Sequence, residues 1–157
     1  MDPVAHTAID QLIHIRAVIG RLISDVSEEA LFRVPPGFSN HIAWNAGHVV
    51  ATQQILHYVL SGLEPQIPGE LIDRYRKGTG PATADRQSYA SVIAFLNQAP
   101  ERFLEDYENG AFTSFNRYET STGIILMSIE DAIVYNNMHE GMHAGYIMAM
   151  KRVLATS

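Results

Sequence analysis

The sequence has no cysteine, no long hydrophobic run and few charged residues. The absence of cysteine excludes a disulfide framework, so any metal site must use histidine, carboxylate or water as ligands. The longest apolar runs are short and are interrupted by polar residues, so no transmembrane helix is predicted. The N-terminal segment lacks the basic and apolar regions of a secretory signal, and we therefore expect a cytoplasmic protein.

Positive charge is also scarce. The chain carries 11 Lys and Arg against 17 Asp and Glu, for a formal net charge of −6, and the basic residues are scattered. Proteins that bind nucleic acids or anionic membranes concentrate their basic residues, so neither partner is expected. A small-molecule substrate or another protein remains as a partner. With 46% hydrophobic residues, residues 1–157 are expected to form a single globular domain.

Four segments have helical patterning. From Pro3 to Val26, apolar residues recur at alternating spacings of four and three, as on the buried stripe of a bundle helix. Three further helices are predicted: from a cap at Ser39 or Asn40 to Ser61, from Asp85 to Tyr107 with Pro100 kinking or splitting it, and from Ser128 to Leu154. Residues 63–84 predict a long crossover loop with a short helix near 70–76, and residues 110–127 an ordered loop with extended pieces. The predicted fold class is all-α, a four-helix bundle with one long crossover loop.

The histidines carry the strongest functional signal. Residues 139–143 read His-Glu-Gly-Met-His, and the four-residue spacing places His139 and His143 on one face of the last helix. On the second helix, His48 lies on the same face as Trp44 and is also expected to point inward. Three buried imidazoles are costly without polar partners, and one divalent ion satisfies all three. The remaining histidines are expected to be structural or surface residues: His6, His14, His41 and His57. His57 in particular is expected to be solvated.

The same string matches the H-E-x-x-H pattern of zinc metalloproteases, in which the glutamate is the general base. Such proteases take their third ligand from a downstream position. The 14 residues after His143 contain no His, Asp or Glu, so a zincin-like protease is retained only as a minor alternative. Glu140 lies about 100° around the helix from His139, on the flank. Three roles are considered for Glu140 at that position: contact with a metal-bound water, capping of a neighbouring group, or exposure to solvent.

At these residues the sequence resembles the DinB-like superfamily of metal-binding four-helix bundles. The matching segments are residues 42–49, IAWNAGHV, and residues 139–147, HEGMHAGYI, and the resemblance extends over about residues 4–154. It implies a metal held by His48, His139 and His143. It also implies thiol-dependent S-transfer with bacillithiol, mycothiol or glutathione, or maleylpyruvate isomerisation, as candidate activities. Homodimers are common in the family.

Two functions from different classes follow. The leading hypothesis is a metal-dependent enzyme, either a thiol-dependent S-transferase or hydrolase-like, because three protein ligands leave a coordination position for water or a substrate thiol. The alternative is a non-catalytic, stress-associated protein in which the metal holds two helices together. Zinc and nickel are the favoured ions, with iron and manganese as further options. Five polar residues are candidates for orienting the ligands or the substrate: Gln53, Tyr135, Asn136, Glu140 and Tyr146.

The last helix is apolar or small on nearly all sides, which favours a homodimer. Two surfaces are candidates for its interface. One is the back of the last helix, formed by Gly141, Gly145, Met148 and Ala149. The other is a flank of the first helix, formed by Ile9, Ile13 and Ile23.

Overall fold

Helices make up most of the computed structural model, which describes residues 3–155. The helices, in chain order, are α1 (Pro3–Ser24), α2 (Glu28–Leu31), α3 (Ile42–Gln54), α4 (Gly69–Tyr75), α5 (Arg86–Glu108) and α6 (Ile129–Ala155). A π-helical segment, Ile55–Val59, continues α3, and a 3-10 turn at Pro81–Thr83 precedes α5. Two short strands, β1 (Tyr118–Glu119) and β2 (Ile125–Leu126), pair antiparallel as a hairpin before α6.

The four long helices form a closed bundle. Helix α1 packs against α5 and α6, and α3 packs against the same two helices. This confirms the predicted all-α four-helix bundle. The long connection between α3 and α5 carries α4, which packs on α3, so the predicted short helix in the crossover is also confirmed. No helix within residues 3–155 combines the length and apolar character that crossing a membrane requires.

Local capping explains where the long helices begin. The Asp85 carboxylate accepts from the backbone N–H of Ser88 at 2.7 Å, and the Ser88 hydroxyl accepts from the Asp85 N–H, which forms a complete capping box for α5. Helix α5 is a single helix that includes Pro100, so the predicted splitting there is wrong. The predicted cap of α3 at Ser39 or Asn40 is also wrong. The His41 ring supplies it instead, because its Nδ1 accepts from the Trp44 N–H at 2.9 Å.

Helix α3 is buried on every side. Of its 13 residues, all except Thr52 are buried, because α4 and α5 cover the side opposite α6. This corrects the expectation that His57 is solvated. His57, in the π-helical segment, has no exposed surface and stacks on Phe103 of α5 with 4.1 Å between ring centroids. Burial, followed by the charge of Arg16, lowers the pKa of His57 to about 3, so its ring is neutral.

Candidate metal centre

Three imidazoles meet between α3 and α6. His48 projects from α3, and His139 and His143 project from successive turns of α6. The Nε2 atom of His139 lies 3.3 Å from that of His48 and 3.2 Å from that of His143. Within residues 3–155, these three side chains form the one group of His, Asp or Glu residues whose ligand atoms all lie within 4.8 Å of one another. The predicted trio is therefore brought together in space.

Hydrogen bonds to the far side of two rings aim them at the shared centre. The Nδ1–H of His48 donates to the backbone carbonyl of Tyr75 at 2.7 Å. The Nδ1–H of His143 donates to Oδ1 of Asn45 at 2.7 Å, while the amide nitrogen of Asn45 donates to the His41 carbonyl. Because Nδ1 is the donor in both rings, each Nε2 carries a lone pair directed at the centre.

Close backbone packing positions the carbonyl that holds His48. Gly47 precedes His48 on α3, and a Cβ atom at this position would lie 2.1 Å from the Tyr75 ring. The Tyr75 ring therefore lies directly against the α3 backbone, and its hydroxyl is 2.9 Å from the Ser88 hydroxyl of α5. On the other side, the Trp44 indole stacks on the His48 ring with 4.6 Å between centroids. His48 is thus fixed from two directions.

The electrostatics keep the three rings neutral, the state that binds metal. Burial is the main cause in each case. It lowers the pKa of His139 to about 3, with further contributions from His143, His48 and Arg16, and that of His143 to about 4, with help from His48. The pKa of His48 is also lowered by burial, although the bond to the Tyr75 carbonyl opposes the shift.

The donor set fits a divalent ion. Two imidazole nitrogens bound tetrahedrally at the usual zinc–nitrogen distance lie about 3.3–3.4 Å apart, which is close to the two Nε2 separations found here. Because His48 and His143 use Nδ1 as their donor, their Nε2 lone pairs both face the Nε2 of His139, and one shared cation would satisfy all three nitrogens. The residues present therefore suit an ion that accepts nitrogen ligands, such as zinc or nickel.

Glu140, one residue after His139, faces the bundle interior rather than solvent. Its carboxylate binds the Arg16 guanidinium in a two-point ion pair, with Nε–Oε2 at 2.6 Å and Nη2–Oε1 at 2.8 Å, and both side chains are almost completely buried. Asn136 adds a third bond to Oε1 at 2.8 Å. Burial raises the pKa of Glu140, and Arg16 and Asn136 oppose that shift. The proposed contact with a metal-bound water and the solvated alternative are therefore both wrong for Glu140.

The other candidate orienting residues fall in three places. Gln53 is fully buried and accepts from Arg16 at 3.0 Å, so it belongs with Asn136 to the network around the ion pair. Tyr135 lines a cavity beside His48 and His139. Tyr146, the remaining candidate, is 42% exposed and packs edge to face on Phe38. Position 146 lies about 60° from His143 around the helix, at the margin of the buried face.

The cavity beside the histidines has a volume of about 90 Å³. His48 and His139 form part of its wall, and the exposed side chains of Lys77 and Tyr118 show that it reaches the surface. The π-helical segment contributes Ile55 and Leu56 to the same wall. Segments with the wider π-helical turn occur often at functional sites. The site is thus accessible to a small molecule.

Sequence patterns alone missed several residues that shape this site. One signal was present: Arg16 lies between Leu12 and Ile19 at spacings of four and three, inside the apolar stripe of α1. An arginine in such a stripe indicates a buried partner. Tyr75 and Lys77 had no comparable signal, because a crossover loop places them by tertiary contacts.

Comparison with protein families identifies a match. A sequence model of the DinB superfamily matches residues 11–147, a range that includes all three histidines of the site. No curated protein matches the chain.

Proposed function

Because that match spans most of the chain, the protein belongs to the DinB superfamily, and we propose that it is a single-domain metalloenzyme in which His48, His139 and His143 hold zinc or nickel. The observation that supports this proposal is the close spacing of three imidazole nitrogens beside a cavity that reaches solvent. The Nε2 atom of His139 lies within 3.3 Å of the Nε2 atoms of both His48 and His143. A bound divalent ion supplies Lewis-acid chemistry and lowers the pKa of a water or thiol.

The protein's own residues have defined tasks in this proposal. Tyr75 and Asn45 hold the His48 and His143 rings in the tautomer that leaves Nε2 free. Burial excludes protons from the rings, so metal binding does not have to displace them near neutral pH. The cavity wall orients a small substrate next to the histidines. A thiol-dependent S-transfer or a hydrolase-like reaction fits such a site, since both use an activated nucleophile.

The accessible cavity is the observation that favours an enzyme over a metal that only joins two helices. A structural site is closed by four protein ligands, whereas three protein ligands leave a position for substrate. A zincin-like protease remains the weaker alternative. The Glu140 carboxylate, which would be its general base, is already engaged by Arg16 and Asn136.

Removing one ligand tests the site. After loading with zinc or nickel, the wild-type protein is expected to hold one ion per chain, and His139→Ala is expected to lose it. His14→Ala is the matched control, because His14 is exposed and bonds only to the Asp10 carbonyl of its own helix. Elemental analysis measures the bound metal, and circular dichroism verifies the fold. Stoichiometric metal in folded His139→Ala would overturn the proposal.

The proposal includes a homodimer formed through α6. Four apolar side chains on this helix are between 42% and 56% exposed: Val134, Met138, Met142 and Met148. Val134, Met138 and Met142 recur every four residues, and all four side chains fall within about 120° of the helix circumference. They form one exposed stripe, which is unusual for a surface that faces only water. The alternative surface on α1 is not free, because Ile9 and Ile23 are buried in the chain's own core.

A further inference from the structure

The cavity beside the histidines has one cationic side chain in its wall. Its lining consists of the two ligands His48 and His139, an apolar part with Ile55 and Leu56, and a polar rim. The rim residues are Lys77, Tyr118, Thr120 and Ser121. His48 and His139 are assigned to the metal, and Lys77 is the only Lys or Arg among the lining residues. Lys77 is therefore the source of fixed positive charge that the protein itself supplies there.

Lys77 has no partner of its own. Within residues 3–155 its ammonium group makes no hydrogen bond or ion pair, although the chain carries a net charge of −6. The chain contains one other lysine, Lys151, which donates to Asp25 and to the Leu22 carbonyl. An unpaired lysine at a cavity mouth in an acidic protein is available to bind an anionic ligand.

Contacts on both sides fix the backbone of Lys77. Two residues earlier, the Tyr75 carbonyl accepts from His48. Two residues later, the Thr79 hydroxyl accepts from the Trp44 indole N–H at 3.0 Å. Both partners lie on α3, so residues 75–79 are attached to the helix that carries a metal ligand. The lysine is thus held at the cavity by the contacts that also orient His48.

The size of the cavity limits the ligand. At about 90 Å³ it is smaller than the roughly 150 Å³ engineered cavity that takes up one benzene molecule. It therefore admits a few non-hydrogen atoms, the reacting end of a molecule, while the remainder extends past the rim.

The charge of the rim favours a monoanion. Phosphate dianions are usually held by several donors or by an arginine fork. The rim instead offers one ammonium group and the exposed hydroxyl-bearing residues Tyr118 and Ser121. The Thr120 hydroxyl already accepts from the Ile124 N–H within its own hairpin. One ammonium with two hydroxyls matches a carboxylate.

From these observations we infer that the substrate is a small carboxylate-bearing molecule, whose reacting end enters beside His48 and His139 and whose carboxylate pairs with Lys77. This inference rests on the proposed function, since it places the reacting end at the three-histidine site. It adds the chemical class of the substrate and assigns Lys77 as the residue that selects it.

A pair of thiols of equal shape tests the inference. Cobalt-loaded protein is titrated with 3-mercaptopropionate and with its neutral amide, 3-mercaptopropionamide, and the visible absorption of cobalt reports binding. We expect the carboxylate to bind about three- to fivefold more tightly at low ionic strength, the size of a partly exposed ion pair. The preference should shrink as salt is added. Lys77→Gln should remove it, and Lys77→Arg should keep it.

Arg76→Gln is the matched control. Arg76 is the neighbouring residue, it pairs with Asp73, and it does not line the cavity, so its loss changes the net charge equally without touching the rim. If cobalt binds but both thiols bind equally, or if the preference survives in Lys77→Gln, the inference fails and the metal site stands. If folded wild-type protein takes up no cobalt, zinc or nickel, the proposed function fails and the inference falls with it.

Discussion

Arg16 and Glu140 place an ion pair inside the bundle, one residue from the proposed metal ligand His139. Removing two charges from water costs several kcal/mol each, and the attraction between them compensates only when the remaining donors and acceptors are satisfied. Here Asn136, Gln53 and backbone carbonyls add hydrogen bonds to the pair, while Nε2 of Gln53 and Oδ1 of Asn136 have no partner within residues 3–155. The pair links α1 to the turn of α6 that carries His139, so it fixes the rotation of that helix.

Neutralising Glu140 is therefore expected to be costly. Glu140→Gln keeps the shape of the side chain but leaves the buried Arg16 charge without a counter-charge, and we expect the free energy of unfolding to fall by about 3–5 kcal/mol. Urea unfolding of the metal-free protein measures the change. Glu101→Gln, on the exposed surface of α5, is the control and should change stability little.

The double variant Arg16→Met with Glu140→Leu separates charge from packing. It removes both charges together, so it should cost less than the sum of the single changes. A Glu140→Gln protein as stable as the wild type would contradict the ion-pair account.

At the scale of the elements, the contact between α3 and the α4 end determines how His48 is held. The Tyr75 ring lies against the Gly47 backbone, and the Tyr75 carbonyl accepts from the His48 ring. A glycine is required at position 47 because any Cβ would overlap the aromatic ring. Gly47 thus allows the close contact between α3 and Tyr75 on which the orientation of the His48 ring depends.

Gly47→Ala is expected to push the end of α4 away from α3. Alanine favours helix by about 1 kcal/mol over glycine, but overpacking against Tyr75 costs about 1–3 kcal/mol, so we expect a net loss of stability. The displaced carbonyl should also lower metal affinity by about tenfold or more, as changes to the partner of a ligating histidine do. Competition with a chelator of known affinity measures the metal affinity.

Gly141→Ala is the control for this prediction. Gly141 lies between the two ligands of α6, yet a Cβ atom there would meet nothing within 4 Å. We expect this variant to gain up to about 1 kcal/mol and to keep its metal affinity. If Gly47→Ala behaves like Gly141→Ala, the Tyr75 contact does not control the site.

The same elements explain how far the sequence could predict the structure. Helices and their ends follow local rules, so α4 and the capped starts of α5 and α6 were predicted closely. The face of the three histidines followed from helical periodicity. His57 was misplaced because periodicity assumes that one side of a helix faces water, whereas α5 covers that side of α3. The partner of Glu140 lies 124 positions away, and no local pattern specifies such a pair.

For the whole molecule, one exposed apolar surface is the stripe of α6 that contains Val134 and Met142. The stripe lies on the helix that carries His139 and His143, on positions that face away from the bundle. A second copy that covers the stripe would therefore pack on the back of the helix that carries His139 and His143. Large exposed apolar patches commonly mark such contacts.

We expect the wild-type protein to be a dimer at micromolar concentration and Val134→Lys or Met142→Lys to shift it towards monomer, because a lysine would be desolvated in the interface. Multi-angle light scattering measures the mass. Ile93→Lys is the control, since Ile93 is 40% exposed on α5, away from α6. A wild-type monomer at these concentrations would exclude the dimer.

The Arg16–Glu140 pair also sets the order in which the molecule can be completed during synthesis. At 5–20 residues per second, the ribosome adds Glu140 roughly 6–25 s after Arg16. Throughout that interval the nascent α1 carries a charge that its final partner cannot yet neutralise, which disfavours early closure of the bundle. His139 and His143 emerge beside Glu140. The residues of the proposed metal site and of the interior ion pair therefore become complete at the same stage of synthesis.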